Sequence, residues 1–211
     1  MELLIEAIEL YPTNIDIISY MGFYLLSRDA YENAIETFKE GFKVCDNDTG
    51  RSEILGYIGD IYHEMGKDSK AFKYYRKALK YDGDNAMVLN NYAYFLSLEE
   101  SNLQRAEEMS FRTIKEEPEN PIYIDTYMWI LFKQKRYEEA AAYAEKLIST
   151  NEDMSAVEYA HCGDIFAMCG DLERALDCWL EAEKKGDESK ILKRKIKKKK
   201  YIPDGKKKRK K

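Results

Sequence analysis

The sequence predicts an all-α fold, an α-solenoid of antiparallel helix hairpins, and three observations lead to this prediction. Small residues recur along the chain at intervals of 34 to 37 residues, and self-similarity at such a period is typical of stacked supersecondary units. Large apolar residues between them follow helical spacing. The four prolines all lie outside the long periodic segments, where a proline would interrupt a helix.

The recurring small residues form a ladder of three positions in each of five units. If the first position is i, the second is i+12, or i+13 in the third unit, and the third lies seven positions further along. In order, the positions are Gly22, Ala34 and Gly41; Gly59, Ala71 and Ala78; Ala93, Ala106 and Thr113; Met128, Ala140 and Leu147; and Gly163, Ala175 and Ala182. Small side chains let two helices approach closely where they cross. We therefore expect one hairpin per unit, with a looser crossing at Met128.

Each unit is predicted to contain two helices of about fourteen residues joined by a turn that carries breaker or capping residues. The chain opens with a half repeat over 1–13, a second helix without its partner. The full repeats are predicted at about 15–48, 52–84, 86–119, 121–153 and 156–187. Their turns are predicted at 27–33, 66–69, 99–102, 133–137 and 169–171.

The array is predicted to extend over 1–201 and to close with a capping helix at 188–200. In that segment Ile191, Leu192 and Ile196 form one apolar stripe and lysines occupy the other positions, as expected of a terminal helix with one buried and one solvated face. The basic tail 202–211 has no apolar residue after Ile202. It cannot bury enough surface to offset its ordering entropy, so we predict that it is disordered.

This organisation resembles the tetratricopeptide repeat over roughly residues 3–187, because spacing and residue type agree in five units. The segment LNNYAYFL at 89–96 and the helix-ending Pro12 and Pro118 resemble the same family. The resemblance implies a right-handed superhelix whose first helices line a concave groove. It also implies a non-enzymatic scaffold or adaptor that binds a protein or peptide segment and needs no cofactor.

The first helices offer an aromatic, amide and acidic lining for such a groove. The candidate peptide-binding residues are Phe23, Tyr57, Asp60, His63, Asn90, Asn91, Tyr94, Asp125, Trp129, His161 and Asp164, with Ser19 beside them. This set contains no lysine or arginine that could hold a partner's carboxylate by charge-assisted bonds. A neutral-to-basic segment with apolar anchors is therefore favoured as ligand. The alternative that Tyr94 and Trp129 pack between hairpins stays open.

Neither catalysis nor metal binding is predicted. His63 and His161 have the acids Asp60 and Asp164 nearby, but no nucleophile or phosphate-binding loop accompanies them. We therefore expect both to be surface histidines. The four cysteines lack the spacing of zinc ligands.

Charge is distributed unevenly along the chain. Residues 184–211 carry 16 basic and three acidic residues, a net charge of +13, whereas residues 1–183 have a net charge of −18. The alternative function is therefore binding of nucleic acid or an anionic surface through the tail. The tail could instead fold back on the acidic body.

The N-terminal sequence and the lack of long apolar runs lead to an expectation about the localisation of the protein. It is acidic and lacks the basic start of a signal peptide, and the sequence has no apolar run long enough to span a membrane as a helix. As written, the chain is expected to be cytoplasmic. The alternative is that it is part of a longer exported protein whose N-terminus is missing here.

Overall fold

The computed structural model describes residues 2–203, and within that range it contains twelve helices and no strand. The helices are α1 (Glu2–Leu10), α2 (Ile15–Leu26), α3 (Tyr31–Val44), α4 (Asp48–Glu64), α5 (Asp68–Tyr81), α6 (Ala86–Leu98), α7 (Leu103–Glu116), α8 (Pro121–Lys133), α9 (Tyr137–Thr150), α10 (Ala156–Met168), α11 (Leu172–Lys184) and α12 (Lys190–Lys198). The all-α helical-repeat fold is thereby confirmed. Of the tail predicted to be disordered, residues 204–211 lie outside the described part.

The first helix of each hairpin begins at a polar cap. The side chains of Asn14, Asn47, Asn85 and Asn120 each accept a hydrogen bond from a backbone N–H two or three positions later. At the start of α10, Ser155 and Glu158 form a complete capping box. Such caps satisfy backbone donors that the helix itself leaves free, so they fix where each first helix starts.

Each hairpin turns at a residue with left-handed backbone, seven positions after the first ladder residue. These residues are Asp29, Gly66, Glu100, Lys135 and Gly170, with φ values of 57°, 69°, 50°, 66° and 84°. All five lie inside the turns predicted from the sequence. Glycine occupies two of these positions, where it adopts positive φ without a steric cost.

The chain divides into two compact units, an N-terminal unit that ends at Tyr92 and a C-terminal unit that starts at Ala93. In the N-terminal unit, Phe38 and Ile58 belong to one buried apolar cluster. In the C-terminal unit, Met128 and Trp179 belong to another.

In three hairpins an aromatic ring of the second helix packs against a glycine of the first helix. The ring residue comes 16 positions after the glycine in the sequence. The pairs are Gly22 with Phe38, Gly59 with Tyr75, and Gly163 with Trp179. The three rings are completely buried. A Cβ atom added to any of these glycines would lie between 2.2 and 2.6 Å from the nearest ring atom. The missing side chain of the first helix is therefore the space that the ring of the second helix fills.

The fourth hairpin has the sizes reversed. Met128 stands at the glycine position, Ala144 stands at the corresponding ring position, and both side chains are completely buried. The expectation of a looser crossing was based on the size of Met128 alone, and it stays a prediction. Both residues belong to the same buried apolar cluster, so a small residue on the second helix accompanies the large one on the first.

This packing predicts that Gly59→Ala destabilises the protein. The added methyl group would meet the Tyr75 ring at 2.6 Å, and overpacking of this kind typically costs about 1–3 kcal/mol. The free energy of unfolding, measured by urea titration, checks this.

The matched control is Gly83→Ala, because a Cβ there meets only a backbone oxygen at 3.6 Å. Its expected effect stays within about 0.5 kcal/mol. Equal losses for the two variants would contradict the packing described for Gly59.

Candidate peptide-binding site

The predicted site residues lie on first helices and are distributed over the two units, which are described separately. The N-terminal face consists of Phe23, Tyr57, Asp60, His63, Asn90 and Asn91. The C-terminal face consists of Tyr94, Asp125, Trp129, His161 and Asp164.

The N-terminal face exposes an aromatic surface with carboxylates around it. Phe23 is 46% exposed, and its ring meets that of the half-buried Tyr57 edge to face, with centroids 5.2 Å apart. Burial raises the pKa of Tyr57, and the charges of Glu53, Asp60 and Asp16 raise it further. Acidic side chains therefore act electrostatically on the Tyr57 side of this aromatic pair.

Asp60 links three helices of the N-terminal unit. Its Oδ1 atom accepts a hydrogen bond from the Tyr75 hydroxyl at 2.5 Å and another from Asn91 Nδ2 at 3.1 Å. Tyr75 belongs to α5, whereas Asn91 belongs to α6. Burial raises the pKa of Asp60 from 3.8 to about 6, although both hydrogen bonds act to lower it. Asp60 therefore holds its own hairpin closed and ties it to the following helix.

The remaining polar residues of the N-terminal face also have partners within the protein. His63 Nδ1 lies 2.7 Å from Asp68 Oδ1, so its acidic partner is Asp68 rather than Asp60. Asn90 is 4% exposed and donates a hydrogen bond to Asn91 Oδ1 at 3.4 Å.

The C-terminal face is organised around a buried histidine. His161 is 7% exposed, and its Nδ1 lies 2.9 Å and 3.1 Å from the two carboxylate oxygens of Asp125. Its ring stacks on Trp129 with centroids 3.8 Å apart. The expectation of a surface histidine is therefore wrong for His161. Its carboxylate partner comes from the preceding first helix and not from the neighbouring Asp164 of its own helix.

Trp129 lies between two rings. It is 5% exposed and stacks on Phe132 on one side, with centroids 4.8 Å apart, and on His161 on the other. Its indole N–H is buried and has no hydrogen-bond partner among residues 2–203. Tyr94 is only partly buried, and burial together with the charge of Asp125 raises its pKa to about 12. The position of Trp129 agrees with the alternative that its side chain packs between hairpins.

Asp164 repeats the arrangement of Asp60 with a cation in place of an amide. It accepts a hydrogen bond from Trp179 Nε1 at 3.0 Å and one from Lys195 Nζ at 2.6 Å. Asp164 is 3% exposed and Lys195 4% exposed. The sequence-based assignment of Lys195 to a solvated face is therefore wrong. Because Lys195 stands at i+3 from Leu192, it lies on the apolar stripe of α12, and that spacing is the signal that could have revealed it.

The segment that follows α12 touches the C-terminal unit near this face. Tyr201 packs edge-on against Phe132, with ring centroids 5.5 Å apart, and Lys195 Nζ lies 5.4 Å from the centre of the Tyr201 ring. The chain's own C-terminal segment therefore contacts the aromatic stack that includes Trp129.

Comparison with known proteins identifies the repeats. Residues 52–85 and 129–154 match family models that are both described as tetratricopeptide repeat. A TPR repeat-containing protein of Pseudomonas aeruginosa is 24% identical over 140 residues, which cover 66% of this chain and 23% of that protein. The chain therefore contains tetratricopeptide repeats at these two segments.

A second relative matches a shorter segment of the chain. A photosystem I assembly protein from Synechococcus sp. is 36% identical over 61 residues, 29% of this chain and 35% of its own length. The chain thus spans between about a quarter and a third of these two relatives.

Solved structures show the same fold at low sequence identity. The pilF protein of Pseudomonas aeruginosa superposes with a TM-score of 0.71 at 19% identity, over 87% of this chain and 83% of that one. YrrB, described as a TPR protein with an unusual peptide-binding site, superposes at 0.62 and 16% identity, over 92% and 97%. Tetratricopeptide-repeat proteins are generally non-enzymatic scaffolds for protein–protein interaction.

Two further observations concern the described residues 2–203. None of the described helices is long and apolar enough to cross a membrane. No group of three or more His, Cys, Asp or Glu side chains in the same range could hold a metal ion.

The buried pair predicts a large effect for Lys195→Met. Removing the ammonium group leaves the Asp164 carboxylate buried without its cation, and breaking such a pair typically costs about 3–5 kcal/mol. The control is Lys184→Met, which removes an exposed pair with Glu181 and should lower the unfolding free energy far less, because exposed ion pairs contribute little. Similar losses of unfolding free energy in the two variants would contradict a buried ion pair at Lys195.

The raised pKa of Asp60 predicts a pH-dependent effect of Asp60→Asn. The pKa of about 6 in the folded protein exceeds the ordinary value of 3.8, so between these values the folded state binds more protons than the unfolded state. The contribution of Asp60 to stability is therefore full below the lower value and is lost as the pH rises through 6. Asparagine stays neutral, so the stability of Asp60→Asn relative to wild type should increase by about 2 kcal/mol between pH 4 and pH 7. Urea titrations at the two pH values check this, and an unchanged difference would contradict the raised pKa.

Proposed function

We propose that this tetratricopeptide-repeat protein is a non-enzymatic scaffold that binds a protein or peptide segment on its first helices, chiefly on the N-terminal face. The observation that carries the proposal is Phe23, a large aromatic side chain that is 46% exposed and rests on Tyr57. Exposed aromatics with a well-packed ring beneath them are typical anchors of protein interfaces. The peptide-binding site described for YrrB belongs to that protein and here only supports the proposal.

The chemistry around Phe23 favours an apolar ligand with neutral-to-basic flanks. Asp16, Glu53 and Asp60 act electrostatically on Tyr57, and the N-terminal face as defined contains no lysine or arginine. A basic flank would gain from these carboxylates, whereas an acidic one would be repelled. Apolar anchoring on an acidic surface is therefore the recognition mode that we propose.

In this proposal most of the C-terminal face contributes no large contact to a ligand. Trp129, His161 and Asp164 are 5%, 7% and 3% exposed, so they offer little area to a ligand. Tyr94 is more accessible and is the residue of this face that we propose as a contact. The aromatic stack and the buried ion pair keep the helices of this unit in place.

A peptide selection on the full chain tests the proposed function. Random dodecapeptides displayed on phage are selected for binding, and peptides with an aliphatic or aromatic residue flanked by Lys or Arg are expected among those enriched. Phe23→Ser should weaken the binding of these peptides by at least about tenfold, as loss of an interface anchor does. Fluorescence anisotropy with the labelled peptides measures the change.

The matched control is Phe111→Ser, because Phe111 is 50% exposed but belongs to a second helix, α7. Binding of the basic peptides should remain within about twofold of wild type in this variant. Equal weakening by both substitutions, or enrichment of peptides whose binding Phe23→Ser leaves unchanged, would overturn the proposal.

A second candidate function is contact with nucleic acid or an anionic surface through the basic C-terminus. The described part of the chain supports it with α12, where Lys193, Arg194, Lys197 and Lys198 are exposed. Such contacts rest on counterion release and weaken steeply with salt. Retention of the selected peptides after deletion of residues 204–211 would separate the two functions, because the deletion leaves the N-terminal face intact.

A further inference from the structure

The N-terminal unit contains a cavity that no part of the proposed function uses. It has a volume of about 570 Å³ and lies between α3, α4 and α5. Leu55 and Ile58 line it from α4, and the rings of Phe42, Tyr74 and Tyr81 line it from the second helices α3 and α5. Cavities of several hundred Å³ with apolar walls are of the size that binds ligands.

Four lysines line the same cavity, two on each side. Lys39 and Lys43 belong to α3, and Lys77 and Lys80 belong to α5. Residues 1–183 hold only 18 basic residues against 36 acidic ones. A cavity with four lysines is therefore a local concentration of positive charge on an acidic body.

The two sides differ in how far their charges are already neutralised. Lys43 Nζ lies 2.6 Å from Glu40 and Lys39 Nζ lies 3.6 Å from Glu36, in exposed pairs. Within the described residues, Lys77 and Lys80 have no carboxylate at ion-pair distance, and Lys77 Nζ lies 5.3 Å from the Tyr74 ring. An anion at the α5 side therefore gains two cations without displacing an acidic side chain.

We propose that this cavity binds an acidic peptide segment of a partner protein, with one apolar side chain inside and carboxylates against Lys77 and Lys80. Charge complementarity selects the acidic ligand, and the aromatic and aliphatic lining selects the apolar side chain. A ligand with a single anionic head group needs cations at only one end of the cavity. The lysines lie on both walls instead, about one helical turn apart on each helix, which suits a ligand that carries several carboxylates along its length.

This site and the N-terminal face select opposite charges. The N-terminal face is surrounded by carboxylates and favours a basic flank, whereas the cavity favours an acidic segment. The basic C-terminus of the chain is repelled by the four lysines and is therefore excluded as occupant. The second site would let the scaffold hold two partners at once.

The experiment uses the same phage-displayed dodecapeptides on the full chain, with counter-selection on Lys77→Glu/Lys80→Glu. Peptides that contain several Asp or Glu and one aliphatic or aromatic residue are expected to be enriched on wild type and lost on the variant. For labelled peptides from this class, the variant should weaken binding at least about tenfold. Because the variant keeps the basic tail, peptides that bind the tail are removed by the counter-selection.

Two further variants separate the contributions. The matched control Lys70→Glu/Lys73→Glu makes the same charge change on α5 at exposed lysines that do not line the cavity, and it should alter binding less than about threefold. Tyr81→Ser removes an apolar wall at a residue that is 39% exposed, and it should weaken binding about fivefold or more. Thermal unfolding of each variant reports whether the fold is retained.

Several outcomes would overturn the proposal. One is that no enriched peptide depends on Lys77 and Lys80, or that the two lysine pairs have equal effects. Others are that dodecanoate binds the cavity while the acidic peptides do not, or that the lysine substitutions abolish self-association of the chain instead of peptide binding. Phe23→Ser should leave the acidic peptides unaffected, so failure here is distinguishable from failure of the proposed function.

Discussion

The structure of three hairpins depends on one steric constraint, the pairing of a glycine and a large ring where two helices cross. Gly59 provides the space that the Tyr75 ring fills, and a Cβ at Gly59 would meet that ring at 2.6 Å. The hairpins of Phe38 and Trp179 repeat this packing with Gly22 and Gly163. Met128 and Ala144 satisfy the same constraint with the sizes exchanged, since interiors tolerate rearrangement better than a change of total volume.

The polar groups of two buried rings also take part in hydrogen bonds that connect each hairpin to the helix that follows it. The Tyr75 hydroxyl and the Trp179 indole N–H each donate to an aspartate on the first helix. Each aspartate also accepts from the following helix, Asp60 from Asn91 and Asp164 from Lys195. Asp164, which serves this purpose in the C-terminal unit, is only 3% exposed and offers little surface to a ligand. The recognition that we propose therefore rests on side chains that take no part in these hydrogen bonds, such as Phe23 and the cavity lysines.

The fold could be predicted from the sequence because the ladder and the turns are local patterns with a fixed period. The polar partners could not, because each pairing joins residues of different helices. His161 pairs with Asp125, 36 residues earlier, although Asp164 is closer in sequence. The cavity lysines belong to the second helices α3 and α5, whereas the predicted groove is lined by first helices, so the prediction missed them. Exposure of the candidate site residues depends on these same tertiary contacts, which is why burial of Trp129 remained one of two alternatives.

In these three hairpins a ring of the second helix occupies the space left by a glycine of the first. A double-mutant cycle between Gly59→Ala and Tyr75→Val tests it most directly, because valine lacks the ring atoms that the added methyl group would meet. With unfolding free energies from urea titration, we predict a coupling energy of more than about 1 kcal/mol, so that the alanine substitution costs little once the ring is absent. Additive effects, with no coupling between the two positions, would show that the Tyr75 ring does not occupy the space at Gly59.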